Sequence, residues 1–231
     1  MLKELIGKLI FPEVTVMAVR DIGPRFRVIQ LGGESMKRAS YKAGDKVQLN
    51  VPGGTRTYTP FAFDKNEGTF EILAYVHGDT PGSTWARNVA VGATCNVFGP
   101  RGSLPLTDLL GPLVIFGDET SFGVVASITR HRSGAPDVHG VFEVASFAEA
   151  EGALAALDLT SYTLVERTGS AHHLREIDGV LREKLTSNTQ LVLTGKAQSI
   201  QSIRAALKER PASFAGSKVK AYWSVGKRGL D

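Results

Sequence analysis

The sequence predicts an antiparallel β-barrel followed by an α/β domain with a parallel sheet. Two observations carry this. Up to the stretch from Thr107 to Pro112, short runs alternate apolar and polar residues and break at Gly and Pro, as half-buried strands do. Beyond it, continuous apolar runs alternate with segments whose apolar residues recur at three and four, the signature of strand–helix units. A chain of 231 residues, 42% apolar, accommodates two cores, and the change of period divides it at 1–108 and 109–231.

In the first half, Val14 to Val19 is rich in β-branched residues and runs into the turn Asp21-Ile22-Gly23-Pro24. Phe26 to Leu31 alternates and meets Gly32-Gly33; Val47 to Val51 alternates and stops at Pro52-Gly53-Gly54. The extended stretch Arg56-Thr57-Tyr58-Thr59-Pro60 follows, then a turn from Asp64 to Gly68 and a strand from Thr69 to Val76. Thr94 to Phe98 is the last strand, closed by Gly99-Pro100-Arg101-Gly102. Six short strands separated by turns suggest a small barrel. One short helix interrupts them after His77-Gly78-Asp79-Thr80-Pro81-Gly82, with Ser83 or Thr84 as the expected N-cap.

In the second half, Leu113 to Phe116 is apolar throughout, as in a strand buried on both faces. Gly117 to Ser121 forms its tip, and a helix carries Phe122, Val125, Ala126 and Ile128. Val138 to Val144, Tyr162 to Val165, Leu191 to Leu193 and Lys218 to Ser224 read as further strands. Between them, Phe147, Ala150, Leu154 and Leu157, then Leu174, Ile177, Leu181 and Leu185, then Ile200, Ile203 and Leu207 have helical spacing.

The chemistry concentrates in Arg56 to Thr59. Period two in a strand puts Arg56 and Tyr58 on one face and Thr57 and Thr59 on the other. Arg56 can hold phosphate oxygens bidentately, Tyr58 offers a ring and a phenol, and Thr59 a small donor. The same residues also suit an ordinary hairpin strand. Gly82, Ser83 and Thr84 at a helix start present backbone N–H groups at its positive end, an anion site. Strand tips at Gly117 to Ser121 and at Gly195-Lys196 are where a doubly wound sheet binds a phosphate-bearing ligand, though turns need glycine for steric reasons too.

Composition excludes several classes. Net charge is +4 with no block of like charges, which falls short of a nucleic-acid-binding composition. One cysteine, Cys95, forms neither an intrachain disulfide nor a thiolate metal site, and suits the cytoplasm. Met1 to Ile6 is a short amphipathic piece without a signal peptide's apolar run, and no segment reaches the ~18 apolar residues of a membrane span. His131, His139, His172 and His173 show no ligand spacing with nearby acids, and the adjacent pair reads as solvated. No metal site is expected.

Taken in order, Arg56-Thr57-Tyr58-Thr59, His77-Gly78, the Ser-Thr-Trp-Ala helix start, Gly99 to Ser103, Gly117-Asp118-Glu119-Thr120 and Tyr222-Trp223 resemble the siderophore-interacting proteins, ferredoxin-reductase-like flavoenzymes. The resemblance covers nearly the whole chain. It implies a barrel binding flavin adenine dinucleotide (FAD) and an NAD(P)-binding-like domain. It implies reduction of Fe(III) in a ferric siderophore, releasing Fe(II) in the cytoplasm, with NAD(P)H or a reduced ferredoxin as donor.

By the same resemblance, Arg56 binds flavin phosphate, Tyr58 packs along the isoalloxazine and ribityl, and Thr59 sits near the ring nitrogens. Thr57 belongs to the same run. His77 and Gly78 contact the flavin; Gly82, Ser83 and Thr84 hold the pyrophosphate. Trp223 covers the flavin or its adenine, or is a core aromatic; Trp85 is read as core. Asp118, Glu119, Thr120, Gly195 and Lys196 line the NAD(P) side, where acids make a poor phosphate cradle. Lys46, Arg101 and Lys220 are candidates for a basic rim that meets an anionic siderophore. Two departures stand out: Gln48 where family members often carry Lys, and Lys196 where many carry an acid. A general NAD(P)H:flavin oxidoreductase and a non-catalytic flavin- or siderophore-binding protein remain as alternatives.

Overall fold

A computed structural model describes residues 11–132, 137–169 and 171–227. The chain divides into two compact units, Met1–Thr107 and Asp108–Asp231. The expectation for Met1 to Ile6 lies outside the described residues.

The first unit is a seven-stranded antiparallel sheet: β1 (Glu13–Ile22), β2 (Phe26–Gly32), β3 (Lys46–Val51), β4 (Gly54–Tyr58), β5 (Pro60–Asp64), β6 (Thr69–Tyr75) and β7 (Thr94–Arg101). Its order is β4-β3-β7-β1-β2-β6-β5. The two edge strands, β4 and β5, are separated in sequence by Thr59 alone, so the sheet curls until its edges meet. This corrects the six-strand expectation, because Arg56 to Pro60 is a corner between two strands rather than one strand. Alternate residues Val14, Val16, Ile29, Leu31, Val47, Leu49, Phe70, Ile72 and Val97 fill the interior. A bulge between Val16 and Ala18 breaks the alternation, so that Met17 and Ala18 are both exposed and Val19 packs on the core.

Helix α1 (Pro81–Asn88) is capped by Thr80, not by Ser83 or Thr84. Pro81 takes the first helical position, where its missing N–H costs nothing, and the Thr80 hydroxyl and carbonyl accept from the Ser83 and Thr84 amides. Arg27 closes the other end, donating from Nη1 to the carbonyls of Ala86, Arg87 and Val89.

The second unit is a five-stranded parallel sheet of β8 (Leu113–Gly117), β9 (Val138–Val144), β10 (Tyr162–Glu166), β11 (Gln190–Lys196) and β12 (Gly216–Trp223), ordered β10-β9-β8-β11-β12. Helices α2 (Phe122–His131), α3 (Phe147–Ala156), α4 (His173–Lys184) and α5 (Ala197–Glu209) connect the strands. All of β8 is buried, as its apolar run predicts. The order grows outward from β8 in both directions, so the switch point lies between β8 and β11. No helix among the described residues is long and apolar enough to cross a membrane.

His173 corrects the reading of a solvated histidine pair: it is buried, while His172 is exposed. The Thr168 amide can only donate, so Nδ1 of His173 accepts from it at 3.2 Å. Nε2 therefore carries the proton and donates to Glu143 Oε2 at 2.9 Å. The partner lies 30 positions away, beyond the reach of local spacing.

Candidate functional site

In the first unit the turn between β3 and β4 folds against the start of α1. Gly53, at φ +86°, runs so close to Pro81 that an added Cβ would stand 2.5 Å from the proline Cβ. Arg56 continues from this turn along β4. Its Nη1 donates to the Thr55 carbonyl at 2.7 Å and its Nη2 to the Gly53 carbonyl at 3.3 Å. Its Cδ and Nε lie 2.9 Å from where a Cβ on Gly82 would be. A glycine at this point is thus what lets a guanidinium lie along the first turn of α1. The side chain is only half buried and has no carboxylate partner in these contacts, so a fixed cation and the positive end of a helix share one exposed corner. That combination fits an FAD phosphate. The sequence reading took Pro52-Gly53-Gly54 only as a turn and missed its part in this corner; the Gly-Gly pair was the available signal.

Tyr58 follows at the barrel corner, half buried, its ring 6.2 Å from that of Trp85. Burial pushes its phenol up to about 12, against the pull of the Arg56 charge, so it stays a neutral donor. Trp85 packs on the barrel core, as expected for it. Thr57 is exposed and pairs in register with Gln48, whose amide nitrogen lies 3.4 Å from its hydroxyl. Thr59 is the half-buried corner residue.

His77 and Gly78 lead into α1. The His77 ring is exposed and stacks on Tyr75 at 5.1 Å, and Gly78, at φ +58°, has open space around it. Ser83 is buried; its hydroxyl donates to the His77 carbonyl at 2.8 Å and accepts from the His77 amide at 3.0 Å. The Ser83 hydroxyl therefore holds this loop, whereas Thr84 is exposed.

The basic-rim candidates separate. Lys46 is buried at 7% exposure, at the start of β3 opposite Arg101, and is no exposed rim charge. Its place on the closed barrel, which period two alone does not reveal, removes it from the surface. Arg101 lies over the Phe98 ring at 4.5 Å and donates to Gln48 Oε1. Gln48 thus steadies a cation on the neighbouring strand. Lys220 belongs to the second unit, half buried on β12 beside Thr194.

At the second unit's switch point, Asp118 and Glu119 are both buried. Asp118 Oδ1 accepts from the Thr120 amide at 2.9 Å and from its hydroxyl, and Oδ2 accepts from Trp223 Nε1 at 2.7 Å. Burial pushes the Asp118 carboxyl up to about 6, against these hydrogen bonds, which favour the ionised form. Glu119 accepts two hydrogen bonds from Arg167, at 2.6 and 2.8 Å, and one from the Ala145 amide at 2.7 Å. Sequence reasoning missed Arg167, which is 48 positions away with no motif around it. Gly195, at φ +88°, crosses just beneath Asp118, and Lys196 Nζ lies 5.6 Å from the centre of the Trp223 ring. The expected NAD(P)-side residues do come together, joined by Trp223, for which the sequence offers a cover over the flavin or its adenine, or a core aromatic.

With this geometry in hand, residues 47–104 match the family model of the siderophore-interacting FAD-binding domain. Over these residues the barrel is similar to a siderophore-interacting FAD-binding domain. The match runs from β3 through β7 and encloses the Arg56 corner and α1. No curated protein matches the chain. Among solved structures, a siderophore utilization protein from T. fusca shares 26% identity, with 96% of this chain and 95% of that chain covered and a TM-score of 0.73. A siderophore-interacting protein from Aeromonas hydrophila shares 19% identity over 94% and 93%, with a TM-score of 0.73. A phthalate dioxygenase reductase, described as a modular structure for electron transfer from pyridine nucleotides to a 2Fe–2S centre, shares 14% identity over 94% and 70%, with a TM-score of 0.74. The antiparallel barrel and the parallel-sheet unit thus have the architecture of ferredoxin-reductase-like proteins.

Proposed function

We propose that the chain is a flavin-dependent reductase that converts Fe(III) in ferric siderophores to Fe(II), working in the cytoplasm on electrons from NAD(P)H or a reduced ferredoxin. The observation that carries the reading is the Arg56 guanidinium along the first turn of α1, inside the stretch that matches a siderophore-interacting FAD-binding domain. Bound FAD supplies electrons one at a time, which is what Fe(III) accepts. The chain's part is to bind and orient. Arg56 and the start of α1 hold the phosphates. Tyr58, kept protonated, and Thr59 supply neutral donors at the barrel corner. Hard oxygen ligands suit Fe(III) better than Fe(II), so reduction loosens the chelate without a protein ligand to iron. Arg101, steadied by Gln48 and Phe98, meets the anionic chelate; the similarity to siderophore-interacting proteins supports that substrate.

The burial of Lys46 favours a second reading, a general NAD(P)H:flavin oxidoreductase, because it removes one cation from the rim. Photoreducing the flavoprotein anaerobically and mixing it with ferric siderophores separates the two. Rapid flavin reoxidation with trapping of Fe(II) by a ferrous chelator supports the reductase. Reoxidation no faster than with buffer alone contradicts it.

A further inference from the structure

The helix layer over the second unit's sheet leaves a hollow on its outer side. Ile177 and Leu181 of α4 and Ile203 and Leu207 of α5 are buried in the core against the sheet. Outside them, Leu174, Arg175, Asp178 and Gly179 from α4 and Ser202 and Ala206 from α5 line an open space of about 410 Å³, which Arg210 also borders. Small side chains make that space, and a Cβ on Gly179 would meet nothing within 4 Å. Glycine is a poor helix former, and no neighbour requires it there.

The charges around the hollow are only partly engaged. Asp178 Oδ2 accepts from Arg182 Nε at 2.8 Å, and Arg182 gives its other nitrogens to the Arg210 and Ala206 carbonyls, at 2.6 and 3.0 Å. This pair closes the C-terminal end of α5 and is absorbed by the fold. Arg210 stands 3.6 Å from the same carboxylate oxygen, beyond hydrogen-bond range, with its side chain 73% exposed. Among the described residues, the Arg175 guanidinium and the Ser202 hydroxyl have no hydrogen-bond partner. Two arginines thus border a space whose one carboxylate is already neutralised by Arg182.

We propose that this hollow binds a small amphipathic anion: a phosphate or carboxylate held by Arg175 and Arg210, with Ser202 as a neutral donor, on an apolar body that lies against Leu174 and Ala206. Guanidinium forks suit both oxyanions. The volume falls at the small end of ligand pockets, roughly 300–1,000 Å³. The site uses no residue of the flavin corner or of the strand tips, so it stands or falls independently of the reductase reading.

The test is a heteronuclear NMR titration of the full chain with phenyl phosphate, benzoate and inorganic phosphate, for wild type, Arg175→Ala and Gly179→Leu. An aryl anion is expected to bind wild type at about millimolar concentration or below, shifting the Gly179 and Ser202 amide signals. Binding of either phenyl phosphate or benzoate supports the site, and the tighter of the two names its head group. Inorganic phosphate, which lacks the apolar body, binds roughly 10-fold more weakly. Arg175→Ala removes a charge-assisted contact and weakens the aryl anion roughly 10- to 100-fold. Gly179→Leu fills the hollow with both arginines in place and abolishes binding. Leucine is the better helix former and Arg175 is exposed, so both variants keep the fold. No shift with either aryl anion in wild type overturns the proposal. So does inorganic phosphate binding as tightly as the aryl anion, or Gly179→Leu binding it as wild type does, since the arginines then attract anions with no pocket behind them.

Discussion

In the first unit, Thr80-Pro81-Gly82 opens α1 beside a guanidinium. In the second, Gly117-Asp118-Glu119 leads into α2 around two buried carboxylates. Both are turns into a helix, and both read from sequence as phosphate sites. What separates them is the charge that the chain itself has placed there. Arg56 brings a cation that donates to the Thr55 and Gly53 carbonyls, whereas Asp118 and Glu119 bring anions that already hold Thr120, Trp223, Ala145 and Arg167. With amides capped at both starts, the sign of the neighbouring charge decides which of the two draws an anion.

If that contrast is right, the charges in the second unit hold the fold and the charge in the first holds a ligand. The largest effect is expected from Glu119→Ala, which strands the Arg167 charge and the Ala145 amide; it should cost roughly 3–5 kcal/mol in urea-induced unfolding. A loss below about 1 kcal/mol would mean that the pair is not structural.

Asp118 gives the next largest effect, and its sign follows from the raised carboxyl. Between the unfolded value near 3.8 and the folded value of about 6, the folded state holds the proton more often than the unfolded one. Stability from this group is therefore full below pH ~4 and declines as pH rises through ~6, by at most roughly 3 kcal/mol. Asp118→Asn should flatten that stretch of the stability–pH profile; an unchanged slope contradicts the burial argument.

Thr80→Ala is expected to cost about 1 kcal/mol through the lost cap of α1, measured by the same unfolding experiment. Cap loss should also loosen Ser83 and, through it, His77. A neutral result would show that Pro81 and the β3–β4 turn suffice to start the helix.

Much of the fold was legible because it rests on local periodicity. The β8 run, the α4 stripe of Ile177 and Leu181, and the alternation in β2 and β3 each announce which face is buried. The barrel was legible from its turn-separated strands, but the corner at Thr59 was not, since it depends on β4 and β5 becoming opposite edges of one sheet, and Pro60 reads as an end rather than a corner. At the site, residue types were legible and partners were not. Asp118 and Trp223 lie 105 positions apart, and Glu119 and Arg167 lie 48 apart. Lys46 shows the converse: its charge is plain in the sequence, but its burial follows from the barrel around it.

The contrast between the two helix starts turns on Arg56, and titration of FAD into wild-type apoprotein and Arg56→Ala tests it most directly. The account predicts that wild type binds FAD and that Arg56→Ala binds it roughly 10- to 150-fold more weakly, the worth of a charge-assisted phosphate contact, while its unfolding stability changes by no more than about 0.5 kcal/mol. Equal FAD affinity in the two proteins would contradict it.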